Sequence, residues 1–134
     1  MVKVCGRMMF EVIEEPRKLK CIIAGSRTIT DYDFLEFGIR LCPFKDQIIE
    51  IVSGHANGVD KLGERWAQEN NIPIKQFIPD WDTLGKRAGY VRNAQMAEYA
   101  DAAIILWDGS SRGTKHMIDL ARENNLLVYV MDIK

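Results

Sequence analysis

The sequence predicts a doubly wound α/β domain, built on a parallel five-stranded sheet with helices on both faces. Two observations lead to this class. Apolar runs of strand length, such as CIIAG and AAIILW, alternate with segments of helical periodicity, which is the order expected of a parallel sheet. The length of 134 residues accommodates one domain with its own core.

The first strand–helix unit begins with CIIAG, residues 21–25, an apolar run of the kind found in a buried parallel strand. Thr30 and Asp33 have the spacing of a capping box, so we predict that a helix begins at Thr30. Pro43 ends it. The apolar face of this helix is predicted to hold four residues: Leu35, Gly38, Ile39 and Cys42.

Two further units follow the same pattern. The second strand is IIEIVSG, residues 48–54, and its helix carries the stripe Val59, Leu62, Gly63, Trp66 and Ala67. The third strand is IKQFIP, residues 74–79. Residues 83–100 are predicted to form a loop and then a helix whose one face holds Tyr90, Ala94 and Ala97.

The last unit contains the most apolar strand, AAIILW at residues 102–107, and ends with LLVYVMDI at residues 126–133. The helix between them has an apolar stripe formed by Thr114, Met117, Ile118 and Ala121. AQENNI at residues 67–72 recurs as ARENNL at residues 121–126. Because asparagine tolerates the left-handed conformation that closes helices, both copies predict a helix end followed by a strand.

Residues 1–19 differ from the rest and are predicted to form an N-terminal arm or short β-ribbon, which leaves residues 20–134 as the domain. Val2 and Val4, and then Phe10 and Val12, alternate as in strands, with Gly6-Arg7 as the turn. The charged segment EEPRKLK is interpreted as a linker.

The composition narrows the function classes. A net charge of −1 gives no general attraction to nucleic acids or anionic membranes. Three cysteines without CxxC spacing predict unpaired thiols in a reducing compartment, with Cys21 and Cys42 in the core. There is no signal peptide and no membrane span, so we predict a cytoplasmic protein. We predict no metal site and no resident cofactor.

Right-handed crossovers leave two doubly wound strand orders for five strands, 3-2-1-4-5 and 2-1-3-4-5. In both orders, ligands bind outside the carboxyl ends of the strands, where the strand order reverses. The loops that follow the strands are therefore the predicted functional part of the chain.

Three of these loops, residues 25–27, 53–60 and 108–114, combine glycine with serine or threonine just before a helix. Glycine lets backbone N–H groups approach a ligand, and a helix N-terminus presents more of them, so the loops favour an anion and most naturally a phosphate. The same residues are common in ordinary turns and caps, but turns alone need not concentrate at one edge of a sheet.

Several side chains near the loops extend this hypothesis. Three arginines are placed for bidentate contacts with phosphate: Arg27, Arg92 and Arg112. Two tryptophans flank strand ends and offer surfaces for stacking a base: Trp81 and Trp107. Asp60 either stabilises the dipole of its helix or contacts a ribose or base. His55 is interpreted as a turn residue, with a chemical role as the less favoured alternative.

Two common nucleotide motifs are absent from the sequence. AGSRTITD has a single glycine, so there is no GxGxxG after the first strand, and GxxxxGK[ST] does not occur. The chain therefore does not match a standard nicotinamide dehydrogenase or P-loop NTPase.

Four segments in this order resemble the SLOG superfamily, which includes the LOG-type cytokinin-activating phosphoribohydrolases and the DprA proteins: IIAGSR, SGHANGVDKLGERWA, PDWDTLGKRAGYVRNAQMAEYAD and WDGSSRGTKHMIDLAR. The chain is more similar to the small stand-alone YspA/YpsA-related group, over about residues 20–134. The resemblance implies a Rossmann-like fold of order 3-2-1-4-5, a nucleotide or nucleotide-derived ligand, and a homodimer or higher homo-oligomer.

The predicted ligand site joins the loop residues to positions that match the family's motifs. Its members are Gly25, Ser26, Arg27, Ser53, Gly54, Gly58, Asp60, Asp80, Trp81, Arg92, Asn93, Asp108, Gly109, Ser110, Ser111, Gly113 and Thr114. Arg92 resembles the catalytic arginine of the LOG enzymes, and residues 109–114 resemble their phosphate loop.

One departure from the LOG pattern concerns catalysis. The LOG enzymes have a catalytic glutamate three residues after the threonine of the phosphate loop, and this chain has Met117 there. Met117 continues the apolar stripe of its helix, which predicts a packing role. Cleavage of an N-glycosidic bond usually recruits a carboxylate, which Asp60, Asp80, Asp82 or Asp108 would have to supply.

Three functions follow from these observations. The first is a module that binds a nucleotide or nucleotide-derived ligand and senses or sequesters it. The second is a nucleotide N-glycosidase or phosphoribohydrolase that uses Arg92 and an aspartate. The third is binding of single-stranded DNA, which ranks last because the charge is near zero and no basic–aromatic stripe is present.

Overall fold

The computed structural model describes the backbone of residues 2–5 and 7–10 and the whole of residues 17–133. The strands are β1 (Val2–Cys5), β2 (Arg7–Phe10), β3 (Leu19–Gly25), β4 (Ile48–Ser53), β5 (Ile74–Gln76), β6 (Ala102–Trp107) and β7 (Leu127–Asp132). The helices are α1 (Tyr32–Leu41), α2 (Val59–Glu69), α3 (Trp81–Leu84), α4 (Ala88–Tyr99) and α5 (Arg112–Glu123). No helix in the described part of the chain is long and apolar enough to cross a membrane.

Five strands form one parallel sheet in the order β5-β4-β3-β6-β7. Numbered from β3, this order is 3-2-1-4-5, which confirms the Rossmann-like prediction and excludes the 2-1-3-4-5 alternative. The order reverses between β3 and β6, where Gly25 is paired with Leu106. Strands β1 and β2 pair antiparallel in a separate two-stranded sheet.

The core has two layers because successive residues of β3 point to opposite faces of the sheet. Cys21 and Ile23 belong to one hydrophobic cluster, and Ile22 and Ala24 belong to the other. The first cluster is covered by buried residues of α1 and α2: Leu35, Ile39, Val59, Trp66 and Ala67. The second is covered by buried residues of α4 and α5: Met96, Ala97, Met117, Ile118 and Ala121.

The asparagine repeat ends two helices as predicted. Asn70 and Asn124 are the C-caps of α2 and α5, and their side-chain amides donate to the carbonyl oxygens of Trp66 and Leu120, each at 2.8 Å. The asparagines that follow, Asn71 and Asn125, have φ of 57° and 60°. Left-handed asparagines therefore turn both helices into the strands behind them.

Three local predictions are wrong. The N-cap of α1 is Asp31 instead of Thr30, since its carboxylate accepts the N–H of Asp33 at 2.9 Å. The third strand contains only residues 74–76, and residues 81–84 form a short helix. Of the predicted face of α4, Ala97 is buried but Tyr90 is exposed, and the buried residues of this helix are Ala88, Arg92, Asn93, Met96 and Ala97.

The error on α4 has a physical cause. Tyr90, predicted to be on the inner face, is 50% exposed, whereas Arg92 and Asn93 are 7% and 9% exposed. The pattern of apolar residues does not predict which face of α4 is buried, because the buried face includes the polar residues Arg92 and Asn93, which point toward the loops at the edge of the sheet.

The two cysteines of the domain are buried and unpaired, as predicted. Burial raises the pKa of both thiols, Cys21 and Cys42, so neither is a reactive thiolate. The predicted turn residue Gly6, the strand residue Val12 and the side chain of Cys5 lie outside the described residues, as do residues 14–16 of the charged segment. The division of the chain at residue 19 stays a prediction.

Replacing Gly63 with alanine tests the close packing of α2 on β3. The added methyl group would lie 2.7 Å from Cγ2 and 2.8 Å from Cβ of Ile23. Since the helix must then move away from the sheet, we expect the free energy of unfolding to fall by about 1–3 kcal/mol in urea denaturation. The control is Gly113→Ala on α5, where no atom lies within 4 Å of the added carbon. Equal stability of the two variants would contradict the packing.

Candidate functional site

A cleft of about 350 Å³ opens at the carboxyl edge of the sheet, where the strand order reverses between β3 and β6. Its volume is within the range of small-molecule sites. Ten of the predicted ligand-binding residues line it: Gly25, Ser26, Arg27, Asp60, Arg92, Asn93, Asp108, Ser111, Gly113 and Thr114. Ala24, Thr28, Ala56, Met96 and Met117 complete the lining.

A second cleft of about 430 Å³ adjoins the first. It is lined by Gly54, His55, Asn57, Ile78, Pro79 and Trp81, together with Arg27, Ala56 and Arg92, which also line the first cleft. Because the two spaces share three residues, we call them the first and second compartments of one site. The second compartment has two arginines and no carboxylate in its lining.

One wall of the first compartment is the N-terminus of α5. Ser111 caps this helix, because its hydroxyl accepts the N–H of Thr114 at 3.3 Å, and the two hydroxyl oxygens lie 2.9 Å apart. The helix has twelve residues, and its first turn presents backbone N–H groups and a positive dipole end to the cleft. This wall favours a negatively charged ligand group.

Asp108 organises the loop before α5. Its carboxylate accepts the N–H groups of Ser110 and Ser111 at 2.8 and 2.9 Å, which holds its pKa below the ordinary value. Its own N–H donates to Oγ of Ser26 at 3.2 Å. Asp108 therefore ties the ends of β3 and β6 together and is committed to the shape of the loop.

The loop after β4 presses against the loop after β3. Gly58 has φ of 81°, and a Cβ there would lie 2.6 Å from both the carbonyl oxygen of Ser26 and Cα of Arg27. A Cβ on Gly25 would lie 2.2 Å from the carbonyl oxygen of Leu106. Both positions need glycine because backbone atoms of neighbouring strand ends occupy the space of a side chain.

Arg92 crosses from α4 to the loop after β4. Its Nη1 donates to the carbonyl oxygen of Gly54 at 2.6 Å, and its Nε donates to Oδ1 of Asn93 at 3.0 Å. Asn93 in turn donates to the carbonyl oxygen of Gly113 at 3.4 Å. Burial lowers the pKa of Arg92, but a guanidinium stays protonated at physiological pH, so this arginine brings a fixed positive charge to both compartments.

Asp60 lies beside Arg92 in the first compartment and is 6% exposed. A Cβ at Gly54 would lie 2.6 Å from Nη1 of Arg92 and 2.9 Å from Oδ2 of Asp60, so both groups crowd this glycine. Burial raises the pKa of Asp60 from 3.8 to about 6, against the opposing effects of the Ala56 N–H and the charge of Arg92. Its carboxyl can therefore exchange a proton near neutral pH.

Five predicted site residues line neither compartment. Ser53 is fully buried, Gly58 holds two loops together, and Asp80 caps α3 by accepting the N–H of Thr83. Gly109 has φ of 87°, and Ser110 donates to Asp108.

Trp107, considered for stacking, instead donates its indole N–H to the carbonyl oxygen of Ser111 at 3.1 Å. Arg112 is the first residue of α5 and also lies outside the lining.

Some lining residues were not predicted as site residues. Ala56, Asn57, Ile78 and Pro79 come from the same loops and carry no chemical signal of their own. His55 also lines the second compartment, and it lies in the same loop as Ser53 and Asp60, where a chemical role was the less favoured of two interpretations. Met117 is 2% exposed and packs in the second core cluster, as predicted, and it also lines the first compartment.

Comparison with known proteins supports the resemblance seen in the motifs. The model of the YspA, cpYpsA-related SLOG family matches residues 19–83, from β3 to α3. The Gene 61 protein of Mycobacterium phage D29 is 31% identical over 119 residues, which covers 81% of this chain and 93% of the phage protein. No solved structure gives a significant match.

The raised pKa of Asp60 predicts a pH-dependent stability. The folded protein holds this proton up to about pH 6, whereas the unfolded chain loses it near 3.8, so folding is favoured most below pH 4 and loses about 2–3 kcal/mol as the pH rises through 6. Asp60→Asn cannot ionise. In urea denaturation near pH 4.5 and pH 7.5, we expect the variant to gain stability relative to the parent protein at the higher pH.

The control for this measurement is Asp119→Asn, which removes an aspartate whose side chain is 48% exposed on α5. Its stability relative to the parent protein should change little between the two pH values. A constant difference between Asp60→Asn and the parent protein would show that Asp60 is ionised throughout this range.

Proposed function

Because the chain belongs to the YspA, cpYpsA-related SLOG family, we propose that it binds a nucleotide or nucleotide-derived ligand and senses or sequesters it. The observation that carries the proposal is the first compartment at the β3–β6 reversal point. One helix N-terminus and two arginines meet there in a cleft of suitable volume. This combination suits a phosphate group.

The positions of the polar groups support a phosphate at α5. The backbone at Gly113 is open, since no atom lies within 4 Å of a Cβ placed there. A phosphate oxygen can therefore reach the N–H groups of the first turn without steric hindrance from a side chain. Arg27 lines both compartments and adds a second cation beside Arg92. Bidentate arginine contacts favour a planar or tetrahedral oxyanion over a simple halide.

The ligand is best identified by equilibrating the purified protein with a mixed nucleotide pool that includes ADP-ribose-type and cyclic species. After ultrafiltration, mass spectrometry of the denatured protein fraction and of the filtrate names the retained compound. We expect an intact nucleotide in the protein fraction. A protein fraction that retains no phosphorylated compound would contradict the proposal.

Gly113→Val tests the phosphate contact directly. The valine side chain has space in the folded protein but occupies the approach to the N-terminus of α5, so we expect at least a tenfold loss of affinity for the retained nucleotide in isothermal titration calorimetry, with an unchanged fold. The matched control is Arg122→Val, an exposed position in the last turn of the same helix. Equal affinities of both variants would place the phosphate elsewhere.

A second candidate function, N-glycosidic hydrolysis of the bound nucleotide, is favoured by Asp60. This carboxyl lines the first compartment next to Arg92, and its raised pKa suits proton transfer near neutral pH. In such a reaction the C1′–N bond would break with its electron pair on the base, and Asp60 would protonate the base. Water would then add to C1′ and return a proton to Asp60.

Asp60→Asn separates hydrolysis from binding. If the protein is a hydrolase, the parent protein should release free base and ribose phosphate, and the variant should release them at least 100-fold more slowly while it still binds the nucleotide. Chromatography of the filtrate measures the free base. Intact nucleotide after prolonged incubation with the parent protein would leave binding as the function.

A further inference from the structure

The second compartment contains a histidine held by a buried carboxylate, and the phosphate site proposed above uses neither. Glu64 of α2 is 8% exposed, and its Oε2 accepts the hydroxyl of Ser53 at 2.7 Å. The same oxygen lies 2.8 Å from Nδ1 of His55. Gln76 of β5 donates to the other oxygen of Glu64 at 3.2 Å. The carboxylate is thus surrounded by hydrogen-bond donors, which offset the free-energy cost of removing it from water.

These contacts determine which ring nitrogen of His55 faces the ligand. The amide nitrogen of Gln76 also lies 3.1 Å from Nδ1, but this amide donates to Glu64, and the shorter contact of Nδ1 is with a carboxylate oxygen that only accepts hydrogen bonds. We therefore assign the ring proton to Nδ1, which donates it to Glu64. In the neutral ring, Nε2 then has a free lone pair. Within residues 17–133, Nε2 has no hydrogen-bond partner, and His55 lines the second compartment with its side chain 39% exposed. His55 therefore offers a hydrogen-bond acceptor to that compartment.

The backbone of His55 is also held in an unusual conformation. Its φ is 59°, in the left-handed region, which is unfavourable for a residue with a side chain. The N–H of His55 donates to Oγ of Ser53 at 3.0 Å, so the same serine fixes the histidine backbone and the carboxylate that holds its ring. Conformations of this kind, imposed by surrounding contacts, are typical of functional sites.

The other wall of the second compartment is apolar and aromatic. Trp81 is 50% exposed and Ile78 is 59% exposed, although both are large hydrophobic residues. A Cβ on Gly89 would lie 3.6 Å from Cη2 of Trp81 and 3.9 Å from Nη2 of Arg92, so the indole ring and the shared guanidinium both approach this glycine. An exposed indole is a surface on which a planar aromatic group stacks.

We propose that the second compartment binds the nucleobase of the ligand, which stacks against Trp81 and donates an amino or ring N–H hydrogen bond to Nε2 of His55. This inference rests on the proposed function, because the phosphate in the first compartment brings the base within reach of the second. Arg27 and Arg92, which line both compartments, lie between the two ligand groups. Glu64 and Ser53 are positioning residues that keep the lone pair of His55 directed at the base.

The test compares ligands with and without a base. Ribose 5-phosphate and the four common 5′-mononucleotides are titrated into the parent protein, into His55→Gly and into Lys61→Gly, an exposed position on α2. Glycine adopts the left-handed conformation without strain, so His55→Gly removes the ring and keeps the backbone. We expect the tightest mononucleotide to bind the parent protein at least tenfold more strongly than ribose 5-phosphate does.

In His55→Gly, the affinity for that mononucleotide should fall about tenfold, whereas the affinity for ribose 5-phosphate should stay within twofold. Lys61→Gly should leave both affinities unchanged. If every mononucleotide binds no more tightly than ribose 5-phosphate, or if His55→Gly weakens both ligands equally, the base site is overturned. If the parent protein binds none of these compounds and also retains nothing from the mixed nucleotide pool, the proposed function itself fails.

Glu64→Leu tests the positioning role with the tautomer of His55 as the readout, which a loss of stability alone does not change. Leucine accepts no hydrogen bond, so the amide of Gln76, 3.1 Å from Nδ1, is then free to donate to Nδ1 and the proton of the neutral ring shifts to Nε2, which no longer accepts a hydrogen bond. Long-range ¹H–¹⁵N spectra of His55 should change from the Nδ1–H to the Nε2–H tautomer, and mononucleotide affinity should fall about tenfold. An unchanged tautomer would overturn the role of Glu64. Glu123→Leu, at an exposed site on α5, is the control.

Discussion

The buried guanidinium of Arg92 is the contact on which the site depends. It connects two parts of the sheet edge: Arg92 belongs to α4, the helix that leads into β6, and its hydrogen-bond acceptor Gly54 follows β4. Removing such a charge from water is costly, and the arrangement is stable only because carbonyl and amide oxygens accept its N–H groups and Asp60 lies nearby. In return, one cation faces both compartments.

The loops around Arg92 are held by contacts that include a backbone group. The carboxylate of Asp108 accepts two N–H groups of its own loop, the N–H of Asp108 donates to Oγ of Ser26, and Gly58 lies against the backbone of Ser26 and Arg27. These contacts fix the backbone, and with it the N–H groups, of the loops around the cleft. Such preorganisation reduces the entropy that binding must overcome.

Three acidic side chains at this edge have three different environments. Asp108 is held ionised by N–H donors, Asp60 has a raised pKa because it is buried, and Glu64 is paired with a histidine and a serine. In the LOG enzymes that the motifs resemble, a single glutamate on the last helix provides the catalytic carboxylate. In this chain Met117 is at that position and packs into the second core cluster, and the carboxylates that line the first compartment are Asp60 and Asp108.

The amino-acid sequence indicated the class of fold, the presence of five strands and the sheet edge at which the glycine-containing loops gather. Apolar periodicity carries this information because a strand with helices on both faces of its sheet must be apolar on both sides. The Asn-Asn pairs indicated two helix ends because asparagine adopts the left-handed backbone conformation readily. From the residues alone, two strand orders remained open, and the motif resemblance favoured the one observed. Local periodicity could not decide that order, since it depends on which strands pair across the sheet.

Only the tertiary structure decided what each loop residue does. Ser53, Asp60 and His55 lie within eight residues of one another, yet one is buried beneath the loop, one lines the first compartment and one lines the second. Arg92 and Asn93 face inward on a helix whose predicted inner face included Tyr90, because their partners Gly54 and Gly113 come from distant loops. Contacts between residues far apart in sequence leave no periodic signal, and these contacts decide which loop residues hold the loops together and which line the two compartments.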